Sequence, residues 1–315
     1  MRLCVIHTGG TIGSVMTPTG FAPKPGLVEE TLEQLATAGQ VQVAYDMVLA
    51  DPLIDSSQAQ VADWNWIAGE IAARHDSHDG FVVIHGTDSL AYAAGALALA
   101  LEGLAKPVVV TGSMVPLSVQ GNDGARNLVE AMAAACSAAP GVWVQFAGQL
   151  LPGTRVQKLN SVAEEAFGAD RRDLAPVVVA PAFRQQVFAP QSIAVITLTP
   201  GVDPVMLGDM CARADGVILR CFGSGNVPGD TVFRSFLRGL ASRDMPVLAI
   251  SQCAAGGMMM GTYSAGAALA DARAIDGKDM TLEVAYPKLM LGLSRFQGSD
   301  LQRYLATAQC GEIVA

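Results

Sequence analysis

The sequence predicts an α/β fold: a larger N-terminal domain whose mostly parallel sheet is covered by helices, then a smaller C-terminal α/β domain. Three observations carry this reading. Short apolar runs alternate with stretches of helical spacing, the signature of βαβ units. The apolar runs are continuous rather than alternating, as parallel strands buried on both faces require. The pattern also restarts after a polar, Pro-containing stretch, "RQQVFAPQ". At 315 residues the chain suits one large domain or two ordinary ones, each with a sizeable core.

Taken in order, "RLCVI" reads as a buried strand and "QVQVAYDMVL" as a second. "ADWNWIAGEIAARH" has helical spacing, and "GFVVIHG" is a short β-branched run before a turn. "SLAYAAGALALALEGL" is helical, "KPVVVTGS" strand and turn, "NLVEAMAAACSA" helical and "GVWVQFAGQ" strand. Beyond the polar stretch come "IAVITLTP", "DGVILRCFG", "SFLRGLASRD" and "PVLAISQC", the same alternation again. The expected domains are residues 1–183 and 193–315, joined by a linker over 184–192.

Hydrophobic residues make up 51% of the chain and charged ones 16%, with Ala and Gly prominent, which suggests close packing. The longest apolar stretch, Leu90–Leu101, is too short to cross a bilayer and ends at Glu102. No signal-peptide cleavage region is visible, so a cytoplasmic protein is expected. A net charge of −9 argues against nucleic-acid partners, which need a basic surface. The six cysteines, at 4, 136, 211, 221, 253 and 310, form no CxxC pair, and buried free thiols are expected, Cys4 and Cys253 lying in strand-like contexts. Four histidines without HxxxH or HxH spacing give no metal signal.

In an open parallel sheet, ligands bind at the carboxyl ends of the strands. The first strand is followed by Thr8, Gly9, Gly10 and Thr11, the second by Asp55, Ser56 and Ser57. The third is followed by His85, Thr87 and Asp88, the fourth by Thr111 and Ser113, with Arg155 and Lys158 farther on. Hydroxyls at four successive strand ends suggest one polar crevice. Each motif also has a plainer reading. The glycine turn resembles a dinucleotide loop, but its spacing is GGxxG, and the acidic residue expected about 20 positions on is missing. "HGTDS" and "DSSQ" can act as helix caps, Lys158 as a surface charge and His85 as a structural histidine. The combination favours chemistry. A threonine hydroxyl needs an activating base. Thr87, Asp88 and Lys158 together would form a base network, and backbone N–H groups at the glycine turns could hold an oxyanion. This is a kit for acyl transfer on an amide.

"HTGGTIGS" and "VVIHGTDSL" resemble the two threonine signatures of the bacterial L-asparaginase family, and "DSSQ", "VTGSMVP", "GTRVQK", "CFGSGNVP" and "DMTLEVAYPKL" extend the resemblance along nearly the whole chain. It is closer to the cytoplasmic type I branch. The resemblance implies hydrolysis of L-asparagine to L-aspartate and ammonia, with possible weak glutaminase activity and no cofactor or metal. It makes Thr11 the nucleophile and Thr87, Asp88 and Lys158 the activating triad, while whether Thr11 or Thr87 attacks stays open. Ser57 and Gln58 match the segment that binds the substrate α-carboxylate, and Asp88 also meets the α-amino group. Gly10, Gly86 and Ser113 complete the implied substrate site. The family's site is finished by a neighbouring subunit, which implies a homodimer or homotetramer. One departure stands out: in the lid-like segment "VMTPTGFAPKPG", Phe21 occupies the place where the family has a tyrosine.

Three rival readings remain. One is an ammonia-supplying amidotransferase subunit, which would normally carry an extra N-terminal domain, whereas this chain starts at its first strand. Another is a non-catalytic amino-acid sensor, for which Phe21 is the only support. The third is a nucleotide-binding α/β enzyme, disfavoured by the loop spacing.

Overall fold

The first apolar run folds into a strand, β1 (Arg2–Gly9), buried from Leu3 onward. In the computed structural model, which describes residues 1–170, 175–261 and 264–314, the chain divides into two units, Met1–Gln186 and Val187–Ala315.

In the first unit a hairpin, β2 (Ser14–Thr17) with β3 (Gly20–Pro23), follows β1, and β4 (Ala44–Ile54), β5 (Gly80–Ile84), β6 (Leu101–Glu102), β7 (Pro107–Thr111), β8 (Gly141–Phe146) and β9 (Gln149–Pro152) come next. Four helices lie between them: α1 (Leu27–Thr37), α2 (Val61–Arg74), α3 (Leu90–Ala100) and α4 (Gly124–Ser137). The main sheet runs β4–β1–β5–β7–β8–β9. Its first five strands are parallel, and β9 folds back antiparallel on β8.

Both faces of this sheet are covered. Leu3, Val5, Val82, Ile84 and Val109 share one core with Val28 and Leu32 of α1 and Leu128 and Met132 of α4. The intervening residues Cys4, Ile6, Phe81 and Val83 are equally buried, which explains the continuous apolar runs in the sequence. Helix α3 is apolar all round and buried almost throughout, as a helix inside a core must be.

Strand order fixes where a ligand can sit. The chain places β4 outside β1, then adds β5, β7 and β8 on the other side, so the order reverses between β1 and β5. In open α/β sheets the ligand crevice lies at such a switch point, beyond the carboxyl ends of the strands. The two threonine loops follow these two strands.

Small antiparallel pairs complete the unit: β10 (Val156–Lys158) with β11 (Phe167–Ala169), and β12 (Arg184–Gln185) with β6. Residues 184 and 185, expected to open a linker, are therefore strand.

The second unit has one parallel sheet in chain order, β13 (Ile193–Thr197), β14 (Gly216–Cys221), β15 (Val247–Ser251) and β16 (Ile275–Asp276). Around it lie α5 (Pro204–Met210), α6 (Thr231–Ser242), α7 (Leu282–Arg295) and α8 (Gly298–Ala306). Asp230 caps α6 by accepting the Val232 and Phe233 N–H groups. Lys288 of α7 is wholly buried and donates to Glu312 Oε1 at 2.6 Å and to the Thr307 carbonyl at 2.8 Å.

This architecture is the α/β class the sequence predicts. Among the described residues no helix is long and apolar enough to cross a membrane. All six cysteines are free thiols, and Cys4, Cys211, Cys221 and Cys310 are buried. Cys253 is exposed, contrary to expectation, because it lies two residues past the end of β15, in the loop rather than in the strand.

Candidate active site

Glycine governs the approach of the two threonine loops. Gly9 has φ +127° and Gly10 φ +92°, a region open to glycine and strained for other residues. A Cβ on Gly10 would stand 2.5 Å from the Gly86 nitrogen, and one on Gly86 would stand 3.1 Å from Gly10 Cα. The residues just before Thr11 and Thr87 are thus packed backbone against backbone, across a gap that no side chain fits.

The second loop joins them. Asp55 accepts the Ser57 N–H at 3.0 Å and caps the short 3₁₀ turn Ser56–Gln58. That leaves Ser57 and Gln58 exposed at the strand ends. Ser56 is buried; its hydroxyl accepts the Asp88 N–H at 3.3 Å, and its carbonyl accepts the Ser89 hydroxyl at 2.6 Å.

Lys158 arrives from a different part of the chain. It closes β10, opposite Phe167 of β11. Its ammonium donates to Thr87 Oγ1 at 3.0 Å and to Asp88 Oδ1 at 2.8 Å. Thr87 is buried, Lys158 is 22% exposed, and Asp88 is 61% exposed. The result is a hydroxyl, an ammonium and a carboxylate in series, the hydroxyl end buried and the carboxylate end open to water. Such a chain can hold and move a proton next to a reacting group.

The fourth loop is held by Asp123, whose carboxylate accepts the Met114 and Val115 N–H groups at 2.9 Å each and the Asn127 amide at 3.1 Å. Ser113 is buried in this loop and donates to the Val115 carbonyl at 2.8 Å. Asn127 also donates to the Gly112 carbonyl at 2.9 Å.

The structure brings Gly10, Thr11, Ser57, Gln58, Gly86, Thr87, Asp88 and Lys158 to the strand ends around β1 and β5. It turns other hydroxyls away. Thr8 donates to the Ile84 carbonyl at 2.9 Å and Thr111 to the Gln145 carbonyl at 2.8 Å, both buried. Arg155 is buried and donates to the Asp170 carbonyl at 3.1 Å. His85 is fully buried and donates through Nδ1 to the Gly86 carbonyl at 2.8 Å; burial pushes its pKa down, against a smaller upward pull from that bond. His7, behind the first loop, has its Nδ1 3.1 Å from Glu29 Oε1, and burial again lowers its pKa more than Glu29 raises it. Both histidines support loops.

Phe21 lies on β3 opposite Met16 of β2, and it is 47% exposed. The lid-like segment is thus a two-stranded hairpin with an apolar outer pair. The sequence named Ser56 only among the hydroxyls after the second strand and did not name Asp123 at all. Ser56 had a signal, since it lies inside "DSSQ"; Asp123 had none, because its partners are backbone N–H groups eight and nine positions back in its own loop and the amide of Asn127. Among the described residues, no group of three or more His, Cys, Asp and Glu side chains is arranged to hold a metal ion.

Comparison with known proteins identifies the family. The N-terminal asparaginase family model matches residues 2–187, and the glutaminase/asparaginase C-terminal domain model matches residues 192–304. The chain is 34% identical to L-asparaginase 1 of Escherichia coli K12 over 311 residues, covering 92% of this chain and 91% of that one. It is 32% identical to an L-asparaginase of Thermococcus kodakarensis over 329 residues, covering 99% of each. The crystal structure of L-asparaginase I from Vibrio cholerae superposes with a TM-score of 0.88 at 31% identity, over 100% of this chain and 99% of that one. With both domain models matched in order and full-length relatives above 30% identity, the chain belongs to the asparaginase family.

Proposed function

We propose that this protein hydrolyses L-asparagine to L-aspartate and ammonia, with Thr11 as nucleophile. The observation that carries the reading is the ammonium of Lys158 held between Thr87 Oγ1 and Asp88 Oδ1, on a loop whose Gly86 packs against Gly10 beside Thr11. The substrate α-carboxylate docks on Ser57 and Gln58, its α-amino group meets Asp88, and Ser113 lies along the wall. As the Thr11 oxygen bonds to the side-chain amide carbon, its proton passes to Thr87 and on to Lys158 as the Lys158 ammonium gives one of its own protons to the Asp88 carboxylate; the reverse relay delivers a proton to the departing nitrogen, which leaves as ammonia. Backbone N–H groups of the glycine turns hold the oxyanion. Water then opens the ester at Thr11, and its proton returns to the Thr11 oxygen. The sum is one water and one asparagine consumed, one aspartate and one ammonia released.

The reading needs no metal or cofactor. The Phe21 hairpin supplies cover that excludes water. The reading also carries a cytoplasmic setting, weak glutaminase activity and a homo-oligomer in which a second subunit completes each site. Purified protein incubated with L-asparagine should release ammonia and aspartate in equal amounts. Substrate binding without ammonia release would favour an amino-acid sensor and refute the enzymatic reading.

A further inference from the structure

The short turn that carries Thr11 has five successive backbone carbonyls occupied. The Gly10 carbonyl accepts the Ser14 hydroxyl at 3.2 Å, and the Thr11 carbonyl accepts the Ser14 N–H. The Ile12 carbonyl accepts the Leu117 N–H at 3.0 Å, and that of Gly13 accepts the Lys24 N–H at 2.8 Å. The Ser14 carbonyl accepts the Ser118 hydroxyl at 2.8 Å, across 104 positions of sequence. On the donor side, the Gly10 N–H reaches the Ile54 carbonyl at 3.1 Å.

A single 3₁₀ turn has little internal hydrogen bonding with which to hold its shape. This one, Thr11–Gly13, follows two left-handed glycines, the residues with most freedom to lose. Its geometry is therefore imposed from outside. Two of the holds are side-chain hydroxyls, both of serines, one at the end of the turn and one on a distant loop. Ser14 is buried and wraps the turn from within, through its own N–H and hydroxyl. Ser118 is exposed and belongs to no core; its hydroxyl fastens the carbonyl of Ser14 from the fourth loop. That loop is itself fixed by Asp123.

We propose that Ser14 and Ser118 are positioning residues: a two-hydroxyl brace that fixes the Thr11 turn against the neighbouring loops. The inference rests on the reading of Thr11 as the attacking group. Neither serine touches the Thr87–Asp88–Lys158 set, and substrate recognition is assigned to Ser57, Gln58 and Asp88 on other loops. Loosening the brace should therefore misplace the nucleophile without weakening substrate binding, a loss in kcat rather than in KM.

The experiment measures kcat, KM and thermal melting for wild type, Ser118→Ala, Ser118→Thr, Ser14→Ala and the double alanine variant, with ammonia as readout. Ser118→Ala should lower kcat about three- to tenfold, the scale of one lost neutral hydrogen bond. Its KM should stay within about twofold and its melting should be unchanged, because the residue is exposed. Ser118→Thr keeps the hydroxyl and should restore the rate. The double variant should lose less than the product of the single losses, because both hydroxyls restrain one turn. Wild-type kcat in Ser118→Ala, or no rescue by threonine, would overturn the brace. A wild-type protein silent on L-asparagine would overturn the asparaginase reading itself, and the brace with it; an active wild type confines any failure to the brace.

Discussion

Replacing Lys158 by methionine separates chemistry from stability, because the structure predicts very different magnitudes for the two. The substitution keeps the side-chain stem and removes the ammonium that stands 3.0 Å from Thr87 Oγ1 and 2.8 Å from Asp88 Oδ1. Asp88 is 61% exposed, so the carboxylate left behind stays in water. An exposed ion pair contributes about 0–1 kcal/mol, and the lost hydrogen bond to Thr87 adds about 0.5–1.5 kcal/mol. A net loss of about 1–2 kcal/mol in a unit of this size lowers Tm by about 2–8 °C. A deeply buried pair would have cost about 3–5 kcal/mol on losing one partner. Catalysis has more to lose: general acid–base assistance is worth about 10²–10⁴-fold, or about 3–5 kcal/mol of barrier. Lys158→Met should therefore fold and melt nearly as wild type while its turnover falls by at least about 100-fold. The assay is steady-state ammonia release with saturating L-asparagine, beside thermal melts of both proteins. A kcat within tenfold of wild type in a folded variant would refute the proton-transfer role, and a Tm loss well beyond about 10 °C would refute the exposure argument.

Phe21→Tyr should raise kcat with a stability change within about 0.5 kcal/mol, since it adds one hydroxyl to a half-exposed hairpin ring; an unchanged or lower kcat would place the proton acceptor for Thr11 elsewhere. L-asparagine should be preferred over L-glutamine by about 10–200-fold in kcat/KM, the usual discrimination for one methylene, and equal values would show a pocket without that steric limit. Glu312→Gln should destabilise the protein at neutral pH by about 3–5 kcal/mol, because it leaves the wholly buried Lys288 ammonium without its carboxylate. Burial pushes the Glu312 carboxyl up, but the Lys288 ammonium and the Cys310 and Gln309 N–H groups outweigh it and hold its pKa below the ordinary value of 4.5. A carboxyl lowered in the folded state contributes stability above its unfolded pKa and loses it as pH falls through the folded one. The melting difference between wild type and Glu312→Gln should therefore shrink below pH 4.5, and a gap constant down to strong acid would contradict the pairing.

The sequence by itself determined the elements and the kinds of chemistry present. Continuous apolar runs such as "FVVIHG" gave strands because both faces of a parallel strand are covered. Glycines at 9, 10 and 86 marked loops that no other residue can form at such approach, and the order of motifs identified the family. All of that is local, or a matter of order along the chain. The tertiary structure decided which groups meet and which way each hydroxyl points. Lys158 reaches Asp88 across 70 positions and Thr87 across 71. It does so because β10 ends beside a loop that strand order alone brings to the switch point. Thr8 and Thr111 stood beside Thr11 among the strand-end hydroxyls of the sequence, yet both are bound to carbonyls of adjacent strands. Cys253 left its predicted burial because its strand ends two residues earlier. Asp123 and Ser118 gave little local signal, since their partners, the Met114 and Val115 N–H groups for Asp123 and the Ser14 carbonyl for Ser118, lie at separations that follow no local period. A residue's type fixes the bonds it can make; the packing of distant segments, which obey no local period, selects the ones it does make.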